Sequence, residues 1–257
     1  RFFAEGPIRF APYIDGDRVY FGADDGYVYC LHLEEGKLLW RYRPSPADEY
    51  VIGNSRMVSL WPVRTGLIVD KGIVYVGAGV FPYEGLYICA IDAKTGNEIW
   101  KNDTAGDLAW GLQYGGMAPQ GYLLASDSTL YVPSGRGMPA AFDRQDGHFI
   151  RFLSQGGKTG GSWALMDQDK LIAGVNSQGN PAKIVFDEKT GKRQGDLFAQ
   201  YPGIDLVMTD RMAYTVIEGG IVAIDRQLHQ AAITESATIS KDEKTLNNQL
   251  RELRKEY

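Results

Sequence analysis

The chain repeats itself, and the repeat leaves few folds open. Gly16-Asp17-Arg18-Val19-Tyr20-Phe21-Gly22 is echoed by Lys71-Gly72-Ile73-Val74-Tyr75-Val76-Gly77. Weaker echoes are Ser128-Thr129-Leu130-Tyr131-Val132, Asp169-Lys170-Leu171-Ile172-Ala173-Gly174 and Asp210-Arg211-Met212-Ala213-Tyr214-Thr215. Each is followed by a second strand-like run, at 27–31, 86–92, 140–143, 184–187 and 221–225. Asp92, Asp143 and Asp187 then stand four residues before a Gly. An Asp there can accept backbone amides of a turn, and Gly takes the left-handed conformation that closes a hairpin. His32 replaces the Asp in the first repeat and is expected to weaken that turn. A further short strand ends in Trp40 and Trp100, each four residues after the Gly; the third and fourth repeats lack that Trp.

Each unit is therefore four short strands in roughly 40–60 residues, which singles out a propeller among all-β folds. The expected fold is an all-β propeller of four-stranded blades near 6–46, 62–103, 119–155, 162–199 and 203–232, then a C-terminal amphipathic helix over 233–257. Ser240 with Glu243 reads as the capping box of that helix, and Leu246, Leu250, Leu253 and Tyr257 as its apolar stripe. Five blades make a narrow ring or leave an unpaired edge. Further blades are expected outside this chain, which reads as part of a larger multidomain protein.

The stretch from Val74-Tyr75-Val76-Gly77 to Leu86-Tyr87-Ile88-Cys89-Ala90-Ile91-Asp92-Ala93-Lys94-Thr95-Gly96-Asn97-Glu98-Ile99-Trp100 resembles the PQQ-like, quinoprotein-type repeat. The resemblance covers about residues 6–230. It implies a bacterial propeller and leaves the activity open. The same repeat occurs in PQQ-dependent alcohol or sugar dehydrogenases and in scaffolds such as the outer-membrane assembly lipoproteins of Gram-negative bacteria. In the alcohol-oxidising enzymes it implies Trp-docked blades, Ca²⁺ held by Glu, Asn and Asp, a catalytic Asp and a vicinal Cys pair on the quinone. This chain has two docking Trp residues, and Cys30 and Cys89 are not adjacent. Cys30 aligns with Ala90, so the two thiols belong to opposite faces of the third strand. The expectation is a non-enzymatic binding or scaffolding module without catalytic residues, metal or cofactor, extracytoplasmic or periplasmic by resemblance. The alternative is a quinoprotein dehydrogenase-like domain, with PQQ and calcium only in that case.

Composition narrows the partners. The net charge is −5 and no basic cluster lies outside the last helix, which argues against nucleic acid. No apolar run approaches a bilayer-spanning length. Expected partners are a protein or other domains of the same chain, with room for a small ligand at the channel mouth. Two distant cysteines make neither a disulfide framework nor a zinc site and read as buried small hydrophobes. His32, His148 and His229 share no metal spacing. The run 156–161 lacks the P-loop spacing and reads as a loop.

With strands A to D running outward from the channel, the short A–B and C–D turns share one face. The irregular crossovers 45–62, 103–119 and 155–162, and the blade-two turn 79–85, share the other. Long loops on a rigid scaffold are where function concentrates. The candidate ligand-binding residues are Trp61, Arg64, Tyr83, Glu84, Trp110, Gln120, Arg136 and Trp163, with Gln113, Tyr114, Asn176 and Gln178 beside them. They read either as a pocket for a planar or anionic ligand, or as stitches between blades, with Arg64 and Arg136 paired to carboxylates such as Glu84. Ala23-Asp24-Asp25-Gly26 has too few spaced carboxylates for calcium and reads as a hairpin turn.

Overall fold

A computed structural model describes residues 1–53, 55–107, 116–135, 137, 139–153, 163–177, 180–195, 201–202 and 206–256. The chain divides into two compact units, Arg1–Gln200 and Tyr201–Tyr257.

The first unit holds four four-stranded antiparallel sheets with strands in chain order, the expected blades. Blade one comprises β1 (Tyr13–Asp15), β2 (Arg18–Gly22), β3 (Val28–His32) and β4 (Leu38–Tyr42). A hairpin, β5 (Tyr50–Gly53) and β6 (Arg56–Ser59), and the short β7 (Thr65–Gly66) lead to blade two. Blade two is β8 (Ile68–Asp70), β9 (Ile73–Ala78), β10 (Tyr87–Asp92) and β11 (Glu98–Asn102). After β12 (Gly121–Tyr122) comes blade three: β13 (Leu124–Ala125), β14 (Thr129–Val132), β15 (Ala140–Asp143) and β16 (Phe149–Phe152). Blade four is β17 (Ala164–Asp167), β18 (Lys170–Ser177), β19 (Asn180–Asp187) and β20 (Arg193–Gly195). The first strands lie innermost, with β1 against β8 and β13 against β17.

Each strand alternates between two seams, because successive side chains point to opposite faces of a sheet. Tyr20, Val28, Cys30 and Trp40 of blade one pack with Val74, Val76, Cys89 and Ile91 of blade two. The opposite side of blade two sends Tyr75, Ile88, Ala90 and Trp100 against Leu130, Val132, Ala140 and Phe142 of blade three. The cysteines face opposite ways on their own strands, and for that reason both enter the single seam between blades one and two. Both are free and buried. Burial pushes the Cys89 thiol up to about 12 and raises that of Cys30. Neither is expected to react with a thiol reagent at neutral pH until denaturant is added; stoichiometric labelling of the native protein would contradict this burial.

The docking Trp residues sit in cross-strand rows. Tyr20, Cys30 and Trp40 lie abreast, as do Tyr75, Ala90 and Trp100. Trp40 Nε1 donates to the Ala93 carbonyl at 3.1 Å, and Trp100 Nε1 to the Arg144 carbonyl at 2.9 Å. Both acceptors directly follow the turn residue, Asp92 or Asp143. Blade three's row is Tyr131, Ala141 and Arg151. Tyr131 and Arg151 both donate to the Glu188 carbonyl, the residue after Asp187, at 2.8 and 3.1 Å. Arg151 therefore takes the place of the missing Trp, four residues after its turn glycine. Blade four ends the series with Ile172, Val185 and Gly195, a row with no side-chain donor.

The turns explain their glycines. Gly36, Gly96, Gly147 and Gly191 each donate N–H to the residue four before, and that residue's N–H donates to the carbonyl just after the Gly. Asp92 Oδ1 also accepts Lys94 N and Thr95 N, and Asp187 Oδ1 accepts Thr190 N. The Thr95 and Thr190 hydroxyls, which donate to the same oxygens at 2.8 and 2.7 Å, lead these bonds in holding both carboxyls below their ordinary range. His32 closes its turn through the same backbone bonds, with Nδ1 accepting Glu35 N at 3.3 Å.

Gly147 and Gly72 share φ +77°, yet a Cβ on Gly147 would lie 2.3 Å from the Trp100 ring, and one on Gly72 would meet nothing. Gly72→Ala is expected to cost about 1 kcal/mol from backbone strain alone. Gly147→Ala should cost at least about 2 kcal/mol, since it also displaces the indole. Equal losses in urea titrations would remove the packing role.

The second unit holds the antiparallel sheet β21 (Leu206–Met208), β22 (Met212–Ile217) and β23 (Gly220–Asp225), then α1 (Arg226–Glu256). The repeat persists up to its last residue. Arg226 N donates to the Arg211 carbonyl as the corresponding residues do in earlier blades, and Asp225 Oδ1 accepts Gln227 N and Leu228 N. The position of the turn glycine is taken by His229. Without a residue suited to the left-handed conformation, these bonds start a helix instead of a hairpin. The expected start near 233, with a capping box at Ser240 and Glu243, is thus corrected: α1 begins at Arg226, Asp225 caps it, and Ser240 and Glu243 lie exposed within it. Of the expected apolar stripe, Leu246, Leu250 and Leu253 are exposed, and Tyr257 lies outside the described residues.

Candidate functional site

The irregular face is built from crossovers and B–C turns, and the structure puts much of its charge underground. Asp24, in the turn between β2 and β3, is fully buried and Asp25 nearly so. Asp24 receives Arg9 Nη2 and Nε at 2.6 and 2.8 Å and Arg64 Nε and Nη2 at 3.0 and 3.3 Å. Asp25 accepts the Tyr29 hydroxyl at 2.7 Å, Tyr27 N at 3.0 Å and Glu5 N at 3.1 Å. Burial, reinforced by the Asp25 contact, raises the Tyr29 phenol. Burying a polar group is costly unless it is hydrogen-bonded, and a charge unless it is also paired: Asp24 has two guanidiniums and Asp25 three hydrogen-bond donors.

The inner strands also close in on this side. β7 and β12, which precede the first strands of blades two and three, pair in parallel. Gly66 permits the contact, because a Cβ there would lie 2.1 Å from the Tyr122 ring. The N-terminal residues cross the same region. Pro7 O accepts Asp24 N, Phe10 packs edge-on against Tyr122 at 5.1 Å, and Ala11 N donates to the Tyr122 hydroxyl.

Against this geometry the predicted residues separate. Arg64 pairs with Asp24, not with Glu84, which corrects the expected partner. Trp61 is buried, donates Nε1 to the Glu84 carbonyl and meets Tyr87 edge-on at 6.1 Å, so it stitches the crossover to the B–C turn of blade two. Glu84 and Gln120 are half-buried; Gln120 N donates to Pro133 O and its side chain lies over Gly135. Trp163 is half-buried. Tyr83 is 71% exposed and stacks on Phe81 at 5.6 Å. Trp110, Gln113, Tyr114, Arg136 and Gln178 lie outside the described residues, as does the side chain of Asn176.

Sequence reasoning missed two features here. One is the buried Arg9–Asp24–Arg64 cluster. The other is the β5–β6 hairpin in the crossover between blades one and two. Val51 pairs with Val58, which is buried, whereas Ile52 pairs with Met57 on the other side of the ribbon. Ile52 is 81% and Met57 60% exposed. The apolar run Tyr50-Val51-Ile52 was the available signal.

On the opposite face the A–B turns of blades two, three and four, with Tyr13 of blade one and the C–D turn residues Arg144, Glu188 and Lys189, line a cavity of about 780 Å³. Two ion pairs join blades two and three in its lining: Lys71 with Asp127 at 3.1 Å, and Arg144 with Asp70 at 2.5 Å. Arg144 Nε also donates to the Tyr75 hydroxyl at 3.2 Å, which ties the cavity wall to the Trp100 row. Asp143, Asp146 and His148 place ligand atoms within 4.8 Å of one another at the edge of a turn. The turn accounts for them, since Asp146 Oδ1 accepts His148 N.

Four-stranded blades joined by Tyr and Trp rows docking on the next blade's turn define a PQQ-like propeller. Residues 3–230 match the family model described as outer membrane protein assembly factor BamB, and the chain belongs to that family. It is 33% identical over 100 residues, 39% of its length, to quinohemoprotein alcohol dehydrogenase ADH-IIG of Pseudomonas putida. It is 27% identical over 137 residues, 53% of its length, to the outer membrane protein assembly factor BamB of Alkalilimnicola ehrlichii. These matches span 13% and 30% of the two relatives' own lengths. Among solved structures, BamB from Moraxella catarrhalis shares the fold, with a TM-score of 0.54 at 18% identity over 84% of this chain and 57% of that one. Among the described residues, no helix is long and apolar enough to cross a membrane.

Proposed function

We propose that this chain is a non-enzymatic binding and scaffolding propeller, part of a larger extracytoplasmic bacterial protein, and that it docks a protein partner on its irregular face. One observation carries the reading: on that face Asp24, Asp25 and Arg64 are consumed internally, while Ile52, Met57 and Tyr83 project into water. Exposed apolar and aromatic anchors beside a rigid scaffold are what protein interfaces use. An isolated two-stranded hairpin is marginal alone and gains most from a partner. The family's assembly-factor members support the same role.

The likeness to quinohemoprotein alcohol dehydrogenase raises the cofactor question. Among the described residues, the donor groups at the mouth do not fit a quinone with its calcium ion. Asp24 is committed to two guanidiniums and Asp25 to three donors, and the cysteines are separate, buried and held protonated. Added PQQ with Ca²⁺ is expected to leave the melting temperature unchanged; a marked rise would favour the dehydrogenase reading.

A photo-crosslinking residue at position 52 or 83, in the producing bacterium, is expected to capture one common protein. The same residue at Lys94, in a turn of the opposite face, should not. Ile52→Asp with Met57→Asp should lower the yield from position 83 by about tenfold. Equal labelling from both faces would defeat the proposal.

A further inference from the structure

Residues 5–10 lie on the irregular face without joining any sheet. Their contacts are those of a bound peptide. Pro7 O accepts Asp24 N at 2.9 Å, and Glu5 N donates to Asp25 Oδ2 at 3.1 Å. The Arg9 guanidinium grips Asp24 Oδ2 through two nitrogens, and Phe10 stands edge-on to Tyr122 at 84°. Gly6 passes so close that a Cβ would sit 2.3 Å from Asp25 N.

The surface beneath is organised without them. Arg64 holds Asp24 from the other side, Tyr29 and Tyr27 hold Asp25, and the β7–β12 pairing fixes the backbone that carries Tyr122. Lifting the segment would leave a preformed groove with an acidic socket, an aromatic wall and a narrow place that admits only glycine. Arg9 is 43% exposed, so an incoming arginine exchanges like for like at little desolvation cost.

We propose that this groove is a peptide-docking site, and that residues 5–10 fill it as an internal copy of a partner segment: extended, with an arginine followed by an aromatic residue. Charge complementarity selects that occupant, because the buried Asp24 carboxylate already accepts two guanidiniums. The proposal rests on the reading of this face as a protein-docking surface but uses none of the hairpin's residues. The tethered segment competes at an effective concentration near the millimolar range, so a partner must exceed that or arrive with further contacts.

The test uses the full chain and a fluorescein-labelled synthetic peptide copying residues 5–10. Arg9→Ala with Phe10→Ala frees the groove, and this variant is expected to bind the peptide roughly tenfold or more tightly than the unaltered chain, by fluorescence anisotropy. A peptide with glutamine in place of its arginine should lose about tenfold in affinity. Ile52→Asp with Met57→Asp should leave peptide binding unchanged, so the groove and the hairpin fail or succeed separately. A folded double variant that binds no better than the unaltered chain overturns the proposal, as does indifference to the peptide's arginine. If the double variant does not fold, Phe10→Ala alone is judged by the same two outcomes.

Discussion

Trp100→Ala is expected to destabilise the first unit by about 3–5 kcal/mol, the usual cost of removing a large buried aromatic. The indole fills the seam between blades two and three, and its N–H satisfies the Arg144 carbonyl. It also backs Gly147, which cannot carry a Cβ while the ring is there. Losing it loosens the turn that aims Arg144 at Tyr75 and Asp70, so the loss spreads beyond the cavity. Arg151→Ala removes the equivalent stitch in the next seam but less buried apolar area, and about 1–3 kcal/mol is expected. Urea titrations of the two variants give the comparison. A larger loss for Arg151 would mean that seam strength does not follow the indole.

Asp24→Asn should cost about 3 kcal/mol, the low end for breaking a buried ion pair, because Arg9 and Arg64 remain partly in water and can rehydrate. Arg9→Ala leaves Asp24 its second guanidinium and should cost about 1 kcal/mol or less. Hydrogen exchange separates the two effects. Both variants are expected to speed exchange at Asp24 N, which donates to Pro7, but only Asp24→Asn should also lower global stability substantially. Equal stabilities would show that Arg64 contributes nothing to holding Asp24.

Weakened acidities point the same way in two seams, that of Tyr20 and Cys89 and that of Tyr131. Burial pushes Cys89, Tyr20 and Tyr131 up to about 12 from ordinary values of 9 and 10. The folded chain then holds protons that the unfolded chain has released. Stability from these groups is complete below about pH 9 and declines progressively toward pH 12. Melting temperatures that stay level from pH 8 to 11 would contradict their burial.

The blades were legible because their signals are local: Val-Tyr-Val-Gly alternation and an Asp four residues before a Gly. The same locality misled at Asp225, where the turn's hydrogen bonds recur but the glycine does not, and a helix begins. His229 was the visible warning. Arg151 was also within reach, since it holds the position four after Gly147 that Trp40 and Trp100 hold after theirs. Its equivalence becomes clear only when the guanidinium is seen on the next blade's turn carbonyl, because an arginine and an indole share a donor and little else.

The propeller repeat, the strand order and the two faces were determined by the sequence alone, since each depends on residues a few positions apart. Which side chains are spent on structure was decided by tertiary structure. Asp24 looks like half of an exposed turn until Arg9 and Arg64, 15 and 40 residues away, close on it. Trp61 looks like a ligand-binding indole until the Glu84 carbonyl takes its N–H. Charge pairing and burial act through distance in space, and no spacing along the chain records which distant partner will arrive.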